Sequence, residues 1–293
     1  MHPTMNAKVQ PGERFCVFCG GAPSDKTKEH VVPRWLLRMT GKPKRQAHFG
    51  RDWRSPNLNE RKYSWDAFSF PACDVCNTRW SSIEANVKRV VEGMMSGDAL
   101  SADDLCAFLD WMDKVRVGLW LGMYYLNGNY RAIIHQFHID DRVGQQDRAL
   151  FIFESREQIE GIGLVGVDSP IFHTMPSALY FIVNHLHFIS LSKPFLVAEK
   201  FGWPYAQNMR MQDVDTDGFW ADFVEGHGKI ASAIFEKLPG VSGTILTQPI
   251  AHPASRNSPE DAHLYSAPYL QGLSQPGQVG IGKLFVGNAS VVP

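Results

Sequence analysis

Apolar residues recur at helical spacing in two stretches of the chain. Ile83, Val87, Val90, Val91 and Met94 share one face of a helix predicted to run from Asn77. Asn77, Thr78, Ser81 and Ser82 offer capping groups at its start, and Gly93 or Gly97 offers an end. Leu105, Leu109, Met112, Val115, Leu119 and Met123 form a second stripe, opened by Ser101 with Asp103 and Asp104 in the first turn, where the helix dipole favours acids. Before these helices the pattern is shorter. A β-branched stretch around residues 28–32 stops at Pro33, which cannot donate to a strand ladder, and residues 67–71 predict a second short strand. Residues 40–64 are polar and basic and read as a long surface loop. Beyond residue 130, β-branched and aromatic runs bounded by Gly, Pro and Asp predict strands over 149–153, 163–167, 178–191 and 195–197, with a helix across 218–238. The last 45 or so residues, rich in Pro, Gly, Ser and Gln, are expected to wrap the surface or carry short strands. The expected fold class is α+β, with a small N-terminal domain over residues 1–95 and a larger mixed domain over 96–293, divided near residues 93–101.

A chain of 293 residues suits two domains of roughly 100 to 200 residues each. With 44% hydrophobic and 20% charged residues it can bury a core. It holds no uninterrupted apolar run of about 18 residues, and the first fifteen residues lack the apolar centre of a signal peptide. The expectation is a soluble, cytoplasmic protein with no membrane partner. The net charge of −1 conceals a division: residues 1–92 carry a balance of +7 and the remainder −8. The densest basic stretch runs from Arg34 to Lys62 and includes Arg38, Lys42, Lys44, Arg45, Arg51, Arg54 and Arg61. A field of that sign suits a polyanion, because neutralised phosphates release condensed counterions; a solvated basic loop would look the same.

Five cysteines include two CxxC pairs, Cys16/Cys19 and Cys73/Cys76, with 53 residues between the inner two. Two thiolates in one tight turn can reach one tetrahedral ion, and two such turns complete a four-sulfur zinc site. Gly20 and Gly21 let the backbone fold close to that ion. Closing so long a loop with a metal would stabilise a small domain.

The strings CVFCGG, KTKEHVVPRWLL and CDVCNTRWSSIEANVK, in that order over about residues 12–95, resemble the HNH endonuclease family. The resemblance implies a ββα-metal unit bracketed by two zinc knuckles. It implies His30 as the general base that takes a proton from the attacking water, with Glu29 and Asn77 as ligands of one catalytic Mg²⁺ or Mn²⁺. Zn²⁺ would be structural. Family members usually carry a middle Asn before the second knuckle. Here that stretch reads WDAFSFPAC, so Asp66, Ser69 or a backbone group is left to orient the histidine. Adjacent residues of a regular strand face opposite sides, so Glu29 and His30 share one site only if the strand twists or breaks.

Lys28, Arg34, Lys42, Lys44, Arg45 and Arg79 are the candidate phosphate contacts. The resemblance favours DNA over RNA and leaves roles in restriction or phage defence open. Glu84 lies two turns after Asn77 on the same helix face and is expected to pair with a Lys or Arg, or to serve as a further ligand. Trp35 is expected in the core or over His30, Cys106 in the core, and His185 and His187 as a structural pair. The second domain would position substrate, or mediate self-association or a protein contact. Two rival readings stand beside a nuclease: a zinc-stabilised nucleic-acid-binding module without catalysis, and a protein-interaction scaffold.

Overall fold

The first strand, β1 (Lys28–His30), is stopped by Pro33, whose φ of −65° instead opens the short helix α1 (Arg34–Met39). The chain then forms an antiparallel pair, β2 (Gln46–Arg51) with β3 (Glu60–Ser64), turns through a single 3₁₀ turn (Trp65–Ala67), and enters β4 (Ser69–Pro71). β4 pairs antiparallel with β1, setting Glu29 opposite Phe70 and His30 opposite Ser69 without a register shift. The helix α2 (Asp74–Ser96) follows directly, which makes β1, β4 and α2 a ββα arrangement. In this computed structural model the described residues are 14–24, 28–51, 56–57, 59–126, 147–154, 160–165, 178–192, 205–211, 219–224, 242–251, 280–281 and 285–292.

α2 starts three residues earlier than its capping side chains suggest. Cys73, with extended backbone, is the N-cap, and Asp74 supplies the acid of the first turn. The helix ends at Gly97 in the left-handed region (φ 73°), where the Gly97 and Asp98 amides donate to the carbonyls of Met94 and Gly93. Ser101 opens the next helix, α3 (Ala102–Leu126): the Asp104 amide donates to Ser101 Oγ, and the Ser101 amide donates to Asp104 Oδ2. That reciprocal cap satisfies two orphan donors at once. Residues 111–122 of α3 are all buried, so the predicted stripe is one part of a helix enclosed on every side. At Gly122 an added Cβ would lie 3.1 Å from Phe68 and 3.3 Å from Phe70, so a larger residue would have to push those rings aside by a few tenths of an ångström.

The expected loop over residues 40–64 is therefore largely a hairpin. Phe49 is buried there against Trp65 and Phe68, with ring centroids 5.1 and 4.0 Å away, and that packing holds a strand pair which the polar composition hides.

The chain divides into two compact units, Met1–Val143 with Val167–Pro176, and Gly144–Gly166 with Ser177–Pro293. α3 thus belongs to the first unit, and the expected division near residues 93–101 falls inside it. The second unit is a nine-stranded sheet. Its strands are β5 (Asp147–Glu154), β6 (Ile162–Val165), β7 (Ala178–Val183), β8 (Leu186–Ser192), β9 (Tyr205–Met211), β10 (Phe219–Val224), β11 (Ser242–Ala251), β12 (Gly280–Ile281) and β13 (Phe285–Val292). They lie in the order β6-β7-β8-β5-β11-β13-β10-β9, with β12 on β11. Every pairing is antiparallel except β10 with β13. Asn184, at φ 52°, turns the single predicted run 178–191 into the hairpin β7–β8. Within the expected helix 218–238, residues 219–224 are strand β10 instead: pairing on both edges outweighs an apolar run that fits either period. The rest of that stretch and the expected strand 195–197 lie outside the described residues. The described fold is mixed helix and strand, an α+β protein. Among the described residues no helix is long and apolar enough to cross a membrane.

Candidate metal centre and its surroundings

The knuckle that carries Cys16 and Cys19 is a tight turn. The Gly20 amide donates to the Cys16 carbonyl, Gly20 sits at φ 72°, and the Cys16 amide donates to Gly21 O. Two further backbone bonds, Val17 N–H to Pro71 O and Ser24 N–H to Ala72 O, pin this turn to the end of β4, where the second knuckle begins. The result brings Cys16, Cys19, Cys73 and Cys76 together, with all four sulfurs within 4.8 Å of one another. Cys19 Sγ and Cys73 Sγ are 3.9 Å apart. Tetrahedral zinc with bonds of about 2.3 Å would set its sulfurs about 3.8 Å apart, so the cluster already has the dimensions of a Cys₄ site. Hydrogen bonds from Cys16 and then Cys76 draw the Cys19 thiol down to about 4, and the same crowding pushes Cys76 well up. Crowding thus favours the thiolate at Cys19 and the thiol at Cys76, a conflict that a bound dication would remove. Among the described residues this is the one group of three or more Cys, His, Asp or Glu that could hold a metal ion. The donor set and spacing fit zinc.

His30 ends β1, half buried, one position from the buried Glu29. Burial lowers its affinity for a proton; the nearby Arg34 cation acts the same way, and Glu29 opposes both. The imidazole is therefore neutral at neutral pH. Asp66, one of the groups proposed to replace the absent middle Asn, bears on His30 through its charge, and its Oδ1 accepts from Ser64 Oγ.

Glu29 faces the other way. The alternation of exposed Lys28, buried Glu29 and half-buried His30 is that of a regular strand, with the register to β4 unbroken. Its Oε1 accepts from Lys114 Nζ at 2.5 Å. Lys114 comes from α3, is fully buried, and also donates to Glu84 Oε1 and, at 3.1 Å, to the backbone carbonyl of His30. Its three N–H donors are then all used. The Trp80 ring lies 6.0 Å from the same ammonium. Burial pushes the Glu84 carboxyl up, while Lys114 pulls it back and neighbouring Glu29 adds to the rise.

Asn77 lies on the first turn of α2, half buried, its amide donating to Cys73 O; among the described residues no hydrogen bond or ion pair joins its side chain to Glu29 or His30. Glu29 thus already has a cationic partner in Lys114. Glu84 takes a Lys partner, but from α3 and not from its own helix, where Lys88 pairs with Glu92. Lys114 itself was not legible as a site residue, because the apolar stripe that predicts this helix leaves Asp113, Lys114 and Arg116 unassigned. All three are buried, and Asp113 pairs with Arg116 at 2.8 Å. Four charges inside the otherwise apolar run 108–122, these three and Asp110, were the available signal.

Of the six candidate phosphate contacts, Lys28, Arg34, Lys42, Lys44 and Arg79 are exposed. Arg79 also lies 5.7 Å from the Trp80 ring centre. Arg45 turns inward instead, donating to Leu37 O, Lys42 O and Thr40 Oγ1, so it secures the turn after α1. Trp35, half buried, packs at 6.3 Å from Trp111 of α3. In the second unit His187 is buried, accepting or donating through Nδ1 to Tyr180 Oη at 2.6 Å, while His185 lies in the β7–β8 turn 3.7 Å from Glu154. They act as separate structural residues. No family model, curated protein or solved structure matches the chain.

Proposed function

We propose that this protein is an endonuclease of the HNH type, hydrolysing phosphodiester bonds of nucleic acid, with DNA the favoured substrate. The observation that carries the reading is His30: a neutral imidazole at the end of the first strand of a ββα arrangement whose ends are tied by a four-cysteine centre. In this reading the exposed cations on α1, the following turn and α2 hold the phosphate backbone. His30 then takes the proton from the attacking water. A divalent cation, Mg²⁺ or Mn²⁺, would supply charge stabilisation at the leaving oxygen. Glu29 already faces Lys114, so no step is assigned to a cation held there.

The test is plasmid cleavage in Mg²⁺ or Mn²⁺. Wild type should cut, and His30→Ala should lose cleavage while binding nucleic acid nearly as well. Because the His30 pKa lies below 6.5, the rate should be level near neutrality and fall only on the acid side of that value. Equal cutting by the two proteins would remove His30 from the chemistry.

One observation favours a second reading. The ion pair between Lys114 and Glu29 fills the position where a catalytic ligand is expected. A zinc-stabilised nucleic-acid-binding module without hydrolysis would bind salt-sensitively and leave plasmid intact with either metal.

A further inference from the structure

The contacts of Lys114 reach three elements at one point. From α3 its ammonium holds the Glu29 side chain and the His30 carbonyl on β1, and the Glu84 side chain on α2. The Val31 amide, on the far side of the same peptide group, donates to Phe68 O at 3.0 Å. The peptide joining His30 to Val31 is thereby held through both its oxygen and its nitrogen. With that peptide fixed and β1 in register, the backbone that aims the imidazole has little freedom left. Packing alone does not call for a lysine here, since apolar residues of similar volume often replace buried ion pairs with no loss of stability. At Gly122, α3 instead meets Val31, Phe68 and Phe70 with no side chain at all.

We propose that Lys114 is a positioning residue for His30. Its ammonium occupies the place beside Glu29 that a divalent cation would otherwise take, and α3 belongs to the reacting unit. Glu29 then serves to hold Lys114 and the strand, and Glu84 completes the clasp. This rests on the endonuclease reading given above and adds to it the group that aims the base.

The test uses the full chain loaded with zinc and compares wild type with Lys114→Met and Glu29→Gln. Melting temperature and zinc content serve as folding controls. Both variants should lose up to about 100-fold in kcat, the scale expected when a reacting group is misplaced by about 1 Å. KM for duplex DNA should stay within about twofold, because Lys114 is fully buried and touches no substrate. Hydrogen exchange at the Val31 amide should quicken in Lys114→Met, and Mn²⁺ affinity, measured by titration calorimetry without substrate, should be unchanged in Glu29→Gln. Should Lys114→Met fail to fold, Glu29→Gln, which keeps the volume and leaves Lys114 with Glu84, carries the test. A folded variant with wild-type kcat overturns the positioning role, as does a large loss of Mn²⁺ affinity in Glu29→Gln, which would return that carboxylate to a metal. Absence of cleavage by wild type removes the endonuclease reading and the positioning role with it.

Discussion

Arg45 shows how one side chain can carry the charge of a binding residue and the contacts of a structural one. Composition groups it with Lys42 and Lys44. Its guanidinium, however, spends three hydrogen bonds on Leu37 O, Lys42 O and Thr40 Oγ1, whereas the two lysines are exposed. The three residues should therefore separate experimentally. Lys42→Ala and Lys44→Ala should leave thermal melting unchanged, and each should flatten the slope of log K against log salt by about 0.9 if it meets a duplex phosphate. Arg45→Ala should cost about 1–3 kcal/mol in stability, since it strands carbonyls in a half-buried turn. Equal salt slopes in all variants would place the polyanion surface elsewhere. The four cysteines were legible for a reason that Arg45 was not. Two CxxC turns have few uses outside a metal site, while an arginine in a basic run gives no sign of which way it points.

At the scale of elements, legibility followed the strength of the period. α2 was readable because Ile83, Val87, Val90, Val91 and Met94 repeat cleanly and a left-handed Gly97 closes the helix. β2 and β3 were not, because QAHFGR and ERKYS carry one large apolar side chain, Phe49, that reaches the core, and its partners Trp65 and Phe68 come later in the sequence. Residues 219–224 failed differently. FWADFV suits helix or strand, and only the neighbouring strands decide. α3 was found and its role was not, since a helix buried on all sides turns its polar residues into internal contacts. Metal removal acts on elements directly. Stripping zinc with a chelator should release the two knuckles, because structural zinc contributes on the order of 10 kcal/mol to small domains. Hydrogen exchange is the measure: the Val17 and Val31 amides, bonded to Pro71 O and Phe68 O, should lose protection. Strands of the nine-stranded sheet should keep theirs. Unaltered exchange in zinc-free protein would show that the cysteines need no metal.

Over the whole molecule, the two compact units differ in what would unfold them. The second contains His187, buried against Tyr180 and lowered to about 4 by burial and then by His185. In the unfolded chain this group titrates near 6.5. Between those values the unfolded state binds the proton that the folded state refuses, so stability is full above pH 6.5 and is lost as pH falls towards 4. Melting of this unit should decline across that window, and His187→Gln should flatten the decline. A pH-independent melting curve in wild type would contradict the burial of a neutral imidazole. The opposite charge balances of the N-terminal and C-terminal stretches, +7 and −8, were plain from the sequence, but the extent of the first unit was not. Its last described helix, α3, is claimed by Lys114, whose partners lie 30 residues back and more.

The segment between β1 and β4 leaves and returns at adjoining points, closed by the bond from the Val31 amide to Phe68 O. It contains α1, the β2–β3 pair and half of the exposed basic residues among those described, and its own buried side chains include Leu36, Leu37, Phe49 and Trp65. Because its ends are fastened by neighbours, lengthening it carries a small entropic cost, about 0.6 kcal/mol for each doubling. In evolutionary terms it is a cassette: its size and surface can drift or be exchanged while the cysteine centre and His30 stay where they are.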